Sequence, residues 1–344
     1  MRRAARSRAT PMDDVDVLLA DLDGVVYTGE GAVPYAVDSI LRAHGSGLRV
    51  GYITNNASRT DAAVARQLSE FGLTTGPSDI VTSPQAAARL MRGLIPAGAT
   101  VLVVGGEGLV AEMENAGFTV TRSAHDRPAA VVQGFAPHVA WSDLAEAAYA
   151  LQTPLEDGGI PWIATNTDWT LPQARGIAPG NGTLVSAVHT AVGRLATVAG
   201  KPETPIFEEA VARFQARSPL FLGDRLDTDI AGAQAAGIRS ALVLTGVDRP
   251  KHVLAAPPHA RPTYVLADLR ELWEPYPVTR TEGDVVAVGD ARVRVDGPDL
   301  TVLDAGTRPI DLLRAASAAI WATGRAIFGF RVPDIVFADP FTGR

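Results

Sequence analysis

Residues 18–27 of the chain, LLADLDGVVY, combine an apolar run with two aspartates that lie one residue apart. The apolar run predicts a buried strand. Side chains alternate along a strand, so we expect Asp21 and Asp23 on the same side of its end. Two like charges ~4 Å apart repel by roughly 4 kcal/mol at an effective dielectric constant of about 20. The pattern therefore leaves two interpretations open, a solvated turn and a metal or phosphoryl site.

Several later segments repeat this arrangement of an apolar run followed by polar side chains. They are LRVGYI before Thr54, Asn55 and Asn56, the short run before Lys201 in AGKP, and PLFL before Gly223, Asp224 and Asp229. Helical patterns over residues 36–44, 61–71 and 84–91 alternate with the strands and predict a parallel sheet covered by helices. Ligands bind at the carboxyl ends of strands in such sheets. We therefore expect one crevice with carboxylates, a hydroxyl and an ammonium group, which suits phosphoryl transfer with a divalent cation.

The composition excludes several other classes of protein. A length of 344 residues with 47% hydrophobic and 20% charged residues is typical of about two globular domains. The net charge of −7 argues against a general nucleic-acid binder. No apolar stretch approaches the ~18 residues of a membrane span. The absence of cysteine excludes disulfides and thiolate chemistry, and it fits the cytoplasm. We expect the arginine-rich residues 1–8 to be a solvated, disordered start.

Two glycines after the predicted strand over residues 100–104 match a dinucleotide-binding pattern. Gly106, Gly108 and Ala111 form G-x-G-x-x-A. However, the next predicted strand ends in Gln133, where an acid that binds ribose would be required. We therefore interpret the glycines as a tight turn between a strand and a helix, and we expect no nucleotide cofactor.

The middle and the end of the chain carry fewer chemical signals. Residues 165–168, TNTD, precede a Pro/Gly-rich stretch over 172–182 that we expect to be a functional loop without regular structure. Pro275, Pro277 and the polar residues 279–283 resemble a linker. The pattern beyond it predicts strands over 284–288, 292–295, 300–303 and 335–337 and a helix over about 309–327, hence a small α+β tail.

Four motifs taken in order, DLDGV at Asp21, TNN at Thr54, GKP at Lys201 and GDRLDTD at Gly223, resemble those of haloacid dehalogenase (HAD) superfamily phosphatases. The resemblance covers residues 15–268. It is greatest to the capped subgroup of phosphoglycolate, glycerol 3-phosphate, pyridoxal and nitrophenyl phosphatases. It implies a Rossmann-like parallel-sheet core with an inserted α/β cap.

The resemblance also implies a role for each motif residue. Asp21 would be the nucleophile and Asp23 the general acid/base. Mg²⁺ would be held by the Asp21 side chain, the Asp23 backbone carbonyl and Asp224. Asp229 would support these ligands without binding the metal itself. The phosphoryl oxygens would be bound by Gly24, Thr54, Asn55 and Lys201. In the cap, Asn166 and Asp168 would face the substrate.

These implications define the expected architecture and activity. The core would comprise residues 12–83 and 192–278, the cap residues 84–191, and the α+β extension residues 279–344. The activity would be Mg²⁺-dependent hydrolysis of a small phosphate monoester through an aspartyl phosphate, with glycerol 3-phosphate or phosphoglycolate as leading substrates. A phosphomutase or other phosphotransferase is the first alternative, and a binding or assembly protein acting through the tail is the second. A homo-oligomer is left open.

Overall fold

The computed structural model describes residues 9–29, 31–173 and 175–337, so the arginine-rich residues 1–8 lie outside the described part. Helices separate most of the strands up to residue 266, and the last four strands follow one another without a helix between them. They are β1 (Val17–Ala20), β2 (Tyr27–Thr28), β3 (Gly31–Ala32), β4 (Arg49–Thr54), β5 (Ile80–Thr82), β6 (Thr100–Val104), β7 (Thr119–Thr121), β8 (Ala130–Gln133), β9 (Trp162–Ala164), β10 (Thr170–Gln173), β11 (Gly176–Pro179), β12 (Thr197–Val198), β13 (Pro219–Gly223), β14 (Arg239–Val243), β15 (Tyr264–Leu266), β16 (Arg280–Glu282), β17 (Val285–Val288), β18 (Ala291–Asp296) and β19 (Asp299–Asp304).

The α-helices of the same residues are mostly about three turns long. They are α1 (Ala36–Gly45), α2 (Asp61–Glu70), α3 (Ser83–Leu94), α4 (Glu107–Asn115), α5 (Trp141–Ala150), α6 (Asn181–Val192), α7 (Pro205–Phe214), α8 (Ala231–Ala235), α9 (Pro250–Ala255) and α10 (Pro309–Ala322). Among the described residues, no helix is both long enough and apolar enough to cross a membrane.

The chain divides into two compact units, the first of which comprises Met1–Val50 and Ala216–Arg344. In this unit β1, β13, β14 and β15 form parallel neighbours in the order β15-β14-β13-β1. The register pairs Val17 with Pro219 and Ala20 with Leu222. All four residues of β1 are buried, as their unbroken apolar sequence predicts. Because β1 and β13 run in the same direction, Asp21 and Asp224 follow their strands at the same edge of the sheet.

The tail forms an antiparallel sheet, β16-β17-β18-β19, on which α10 packs. Its apolar side chains belong to the same hydrophobic cluster as residues of β14 and α9. Val253 and Leu254 of α9 lie in that cluster together with Leu313 and Ile320 of α10. The tail is therefore built onto the core of the first unit.

A buried guanidinium fixes α10 to the segment after β15. The Arg314 side chain donates hydrogen bonds to the backbone oxygen of Val265 at 2.9 and 2.6 Å and to the carboxylates of Glu271 and Asp311 at 2.8 and 2.7 Å. The Tyr276 ring lies under the guanidinium, with 4.4 Å between the Arg314 Cζ and the ring centroid. Only 5% of the Arg314 side chain is exposed. Its charge thus depends on these two carboxylates for compensation.

The second unit, Gly51–Gln215, contains a parallel sheet in the order β12-β9-β8-β6-β7. Helices α5 and α6 pack against it through Ala147, Ala148, Val185 and Val188. The end of β4 pairs in parallel with β5, with Thr54 opposite Thr82. The predicted α/β class with parallel sheets is therefore confirmed. The glycines after β6 form a turn into α4, and Gly105 adopts a positive φ of 154° there.

Three expectations about local structure were wrong. Residues 172–182 include part of a hairpin. Strands β10 and β11 pair antiparallel, from Thr170 opposite Pro179 to Gln173 opposite Gly176. Residues 280–282 are a strand that pairs with β17, although their polar side chains resemble a linker. Residues 335–337 belong to a 3₁₀ turn over Asp334–Phe337, which the hydrogen bond from the Val336 N–H to the Pro333 oxygen closes.

The last helix is also shorter than its apolar pattern predicts. It ends at Ala322, before Gly324, which has a φ of 68°. A glycine in the left-handed conformation commonly terminates a helix, because other residues adopt it with strain. The apolar residues that continue the pattern beyond it include Ile327, which begins a separate 3₁₀ turn.

We expect Arg314→Ala to lower the free energy of unfolding by about 3 kcal/mol, because it leaves two buried carboxylates without their shared partner. The measurement is urea unfolding followed by circular dichroism. The matched control is Arg331→Ala, which breaks the ion pair between Arg331 and Asp299. The Arg331 side chain is 73% exposed and that of Asp299 is 45% exposed. The control should unfold at nearly the wild-type urea concentration. Equal losses in the two variants would contradict the role given to Arg314.

Candidate active site

Three buried aspartates of the first unit gather where β1 and β13 end. Asp21, Asp224 and Asp229 each offer one carboxylate oxygen, and these oxygens lie within 4.8 Å of one another. The three residues are 8%, 2% and 1% exposed. The Asp21 N–H donates to the Leu222 oxygen at 2.8 Å, which continues the ladder between the two strands into the site. The sheet itself therefore fixes the distance between Asp21 and the residues after β13.

Asp229 reaches the cluster from a π-helical turn over Leu226–Ile230. One of its carboxylate oxygens accepts the N–H groups of Asp224 and Arg225 at 3.1 and 3.2 Å. The close approach requires a glycine before Asp224, since a Cβ on Gly223 would lie 2.3 Å from the Cβ of Asp229. Helix α8 is thus preceded by a wider turn that directs the Asp229 side chain back toward the end of β13.

Two more glycines leave room for the Asp224 carboxylate. A Cβ on Gly24 would lie 2.3 Å from its Oδ2, and a Cβ on Gly246 would lie 2.0 Å from the same atom. The Val247 N–H donates to Asp224 Oδ2 at 2.7 Å, and the Thr245 hydroxyl donates to the Gly24 oxygen at 2.7 Å. The loop after β14 is therefore part of the site, which the sequence reasoning missed. An available signal was that β14, like β1 and β13, is an apolar strand followed by polar residues and an acid.

Asp23 occupies a different position from the three buried acids. Its side chain is exposed, and its backbone lies in the turn that follows β1, where the Gly24 N–H donates to the Tyr27 oxygen at 2.8 Å. Gly24 adopts a φ of 81° in this turn. The two predicted aspartates thus differ in burial, since Asp21 is buried and Asp23 is exposed.

The remaining predicted site residues lie in the second unit, where Asn55 connects most of them. Its side chain donates to the Lys201 oxygen at 3.0 Å and accepts from the Lys201 N–H at 2.8 Å. Its amide also lies 3.4 Å from both carboxylate oxygens of Asp168. The Asn166 side chain donates to the Asn55 oxygen at 2.8 Å and is 4% exposed. Asn55, Asn166, Asp168 and Lys201 are therefore brought together, and Asn166 supports the Asn55 backbone.

The pKa values of two acids near Asp224 are shifted in opposite directions. Burial raises the pKa of the Asp248 carboxyl, even though the Leu226 N–H and His252 act in the opposite direction. Burial would also raise the pKa of Asp227, but the hydrogen bonds and charge of Arg225 outweigh it and lower the pKa. Asp227 is exposed and pairs with Arg225, whereas the Asp248 carboxylate accepts the Leu226 N–H.

The buried acids fit a divalent metal ion. Three carboxylates in a small buried volume repel one another strongly when no cation is bound. Oxygen atoms of this kind are the ligands that Mg²⁺ prefers, and a magnesium site typically takes few protein carboxylates and keeps several waters. The donor set and the space left by the glycines are consistent with such an ion.

Comparisons with known proteins agree with this geometry. A family model for haloacid dehalogenase-like hydrolases matches residues 18–119, and a second HAD-like hydrolase model matches residues 198–272. The chain is 44% identical over 313 residues to a D-glycerol 3-phosphate phosphatase of Mycobacterium tuberculosis, covering 89% of this chain and 86% of the relative. It is 35% identical to human chronophin, covering 80% of this chain and 99% of the relative.

A solved structure extends the likeness to the tail. The M. tuberculosis glycerol phosphate phosphatase in complex with magnesium has a TM-score of 0.82 and 40% identity, with 94% of each chain covered. The uncovered part of this chain is shorter than the tail, so most of the tail has a counterpart in that structure. The chain belongs to the haloacid dehalogenase-like hydrolases. Within them it is a phosphatase, as these relatives are.

We expect Gly246→Ala to weaken the metal site, because the added methyl group would overlap the Asp224 carboxylate. The measurement is the rise in melting temperature on addition of Mg²⁺, which should shrink or disappear in the variant. Gly45→Ala is the matched control, since a Cβ on Gly45 meets nothing within 4 Å. It should keep the full rise. A full rise in Gly246→Ala as well would show that the loop does not shape the site.

Proposed function

We propose that this phosphatase hydrolyses glycerol 3-phosphate in a Mg²⁺-dependent reaction. The observation that carries the proposal is the buried cluster of Asp21, Asp224 and Asp229 at the ends of two neighbouring parallel strands. The substrate is supported by the names of relatives, which include a mycobacterial D-glycerol 3-phosphate phosphatase and a chicken glycerol-3-phosphate phosphatase, 44% and 37% identical to this chain. The magnesium is supported by the solved complex of the mycobacterial enzyme.

In this proposal Asp21 and Asp23 carry out the chemistry in two steps. A carboxylate oxygen of Asp21 attacks phosphorus, the ester P–O bond breaks, and the Asp23 carboxyl gives its proton to the departing alkoxide. Asp23 then takes a proton from water, whose oxygen attacks phosphorus and breaks the bond to Asp21. Inorganic phosphate leaves, and both aspartates return to their initial state. The exposed position of Asp23 suits a group that exchanges protons with substrate and water.

Other residues of the motifs would bind and orient the phosphoryl group. We assign Gly24, Thr54, Asn55 and Lys201 to its oxygens, and the Asp21 side chain, the Asp23 carbonyl and the Asp224 side chain to the metal. Asp229 would hold Asp224 and Arg225 through their N–H groups. A bound Mg²⁺ would offset the negative charge that the carboxylates and the phosphate share. Buried positive charge at Lys201 would stabilise the extra charge of the transition state.

We also propose the domain roles that the family resemblance implies. Residues 12–83 and 192–278 would form the catalytic core and residues 84–191 the cap, in which Asp168 would contribute to substrate choice. Residues 279–344 would form an extension with a structural role, since α10 shares a hydrophobic cluster with α9. A cysteine-free chain is compatible with the reducing cytoplasm, where we place the activity. A homo-oligomer remains a prediction.

The test is phosphate release from a panel of monoesters that includes glycerol 3-phosphate, phosphoglycolate and 4-nitrophenyl phosphate, with Mg²⁺ and with EDTA. We expect glycerol 3-phosphate to have the highest kcat/KM and EDTA to abolish turnover.

Asp21→Asn should lower kcat by at least about a thousandfold, because the nucleophile is lost. Turnover that persists in Asp21→Asn would contradict the proposal. An isomerised product without phosphate release would favour the phosphomutase alternative.

A further inference from the structure

The loop over residues 245–248 holds Asp224 through its side chain and its backbone. The Val247 N–H donates to Asp224 Oδ2 at 2.7 Å, and the Asp248 N–H donates to the Asp224 backbone oxygen at 3.1 Å. One carboxylate oxygen of Asp224 is therefore oriented by a backbone N–H of this loop. Any group that fixes this loop also fixes the acid.

The Asp248 side chain is the group that joins the loop to the neighbouring turn. Its Oδ2 accepts the Leu226 N–H at 2.5 Å, and its Oδ1 lies 2.9 Å from His252 Nδ1. Leu226 is the first residue of the π-helical turn that carries Asp229. The Asp248 side chain is 15% exposed, so water competes little for these bonds.

These bonds close a ring around the metal-binding acid. From Asp224 the ring runs through its backbone oxygen to Asp248, then through the Asp248 carboxylate to Leu226, and through the same turn to Asp229. The Asp229 carboxylate returns to the Asp224 N–H at 3.1 Å. Asp248 thus connects the two elements that contribute acids after β13, through its backbone N–H to Asp224 and through its carboxylate to the turn that carries Asp229.

The tail supports the far side of the same loop. Helix α9 begins two residues after Asp248, and the Trp321 side chain of α10 donates to the Val253 oxygen at 3.2 Å. Val253 and Leu254 pack in the hydrophobic cluster with Ile320. The loop is therefore held between the site and a well-packed helix pair, and it is poorly able to relax when one of its bonds is lost.

We propose that Asp248 is a positioning residue of the metal site, which sets the affinity for Mg²⁺ by fixing Asp224 and Asp229 relative to each other. The inference rests on the proposed function and adds a residue that the four family motifs do not contain. Removing partners that orient metal ligands typically weakens metal binding by about 10–100-fold. The expected signature is a changed metal requirement with little change in turnover once metal is saturating.

The experiment compares wild type, Asp248→Ala and Asp248→Asn by isothermal titration with Mg²⁺ and by the dependence of kcat on Mg²⁺ concentration. Asp248→Ala should bind Mg²⁺ at least about tenfold more weakly, with kcat within about threefold of wild type at saturating Mg²⁺. Asp248→Asn keeps an oxygen acceptor for the Leu226 N–H and should restore most of the affinity. If Asp248→Ala does not fold, Asp248→Ser serves in its place, since its side chain is too short to reach that N–H.

The matched control is Asp227→Ala, an acid of the same turn whose side chain is 68% exposed and pairs with Arg225. It should bind Mg²⁺ as wild type does. Unchanged Mg²⁺ affinity in Asp248→Ala, or an equal loss in Asp227→Ala, would overturn the inference while leaving the proposed function in place. A wild-type protein that binds no Mg²⁺ would overturn both.

Discussion

The mutual repulsion of three buried carboxylates is the constraint on which the site depends. At ~4 Å and an effective dielectric constant of about 20, each close pair of ionised acids costs roughly 4 kcal/mol. The fold nevertheless places Asp21, Asp224 and Asp229 within 4.8 Å of one another and buries them. Backbone N–H groups reduce this cost, and a divalent cation would remove most of it. The repulsion among the three carboxylates therefore favours a state of the protein in which a cation is bound between them.

The surrounding structure maintains this arrangement at several levels. Parallel pairing of β1 with β13 sets the spacing of the strand ends, and glycines admit the carboxylates where side chains would collide. The loop after β14 then orients Asp224, and the tail stabilises that loop through α9. The buried Arg314 joins the tail to the segment after β15. Under the proposed role of Asp248, the tail would affect the metal site only indirectly, through the packing of α10 against α9.

The sequence predicted the strands and the acids because both leave a local signal. Unbroken apolar runs that stop at an aspartate identified the ends of β1 and β13, and the order of the motifs identified the family. The hairpin of β10 and β11 was missed because prolines and glycines obscure alternation in a two-stranded sheet. The end of β14 was an available signal for the loop that contains Asp248. The bond from the Val247 N–H and the contact between residues 226 and 248 could not be predicted, since a backbone N–H has no sequence signature and the contact is not local.

The measurement that tests the central claim most directly is calorimetric titration of Mg²⁺ into wild type, Asp224→Asn and Asp23→Asn. Wild type should bind one Mg²⁺, and Asp224→Asn should lose at least about tenfold in affinity, because a carboxylate ligand is removed. Asp23→Asn should bind within about threefold of wild type, since only its backbone carbonyl is assigned to the metal, and yet it should turn over slowly. Wild-type affinity in Asp224→Asn would contradict the account.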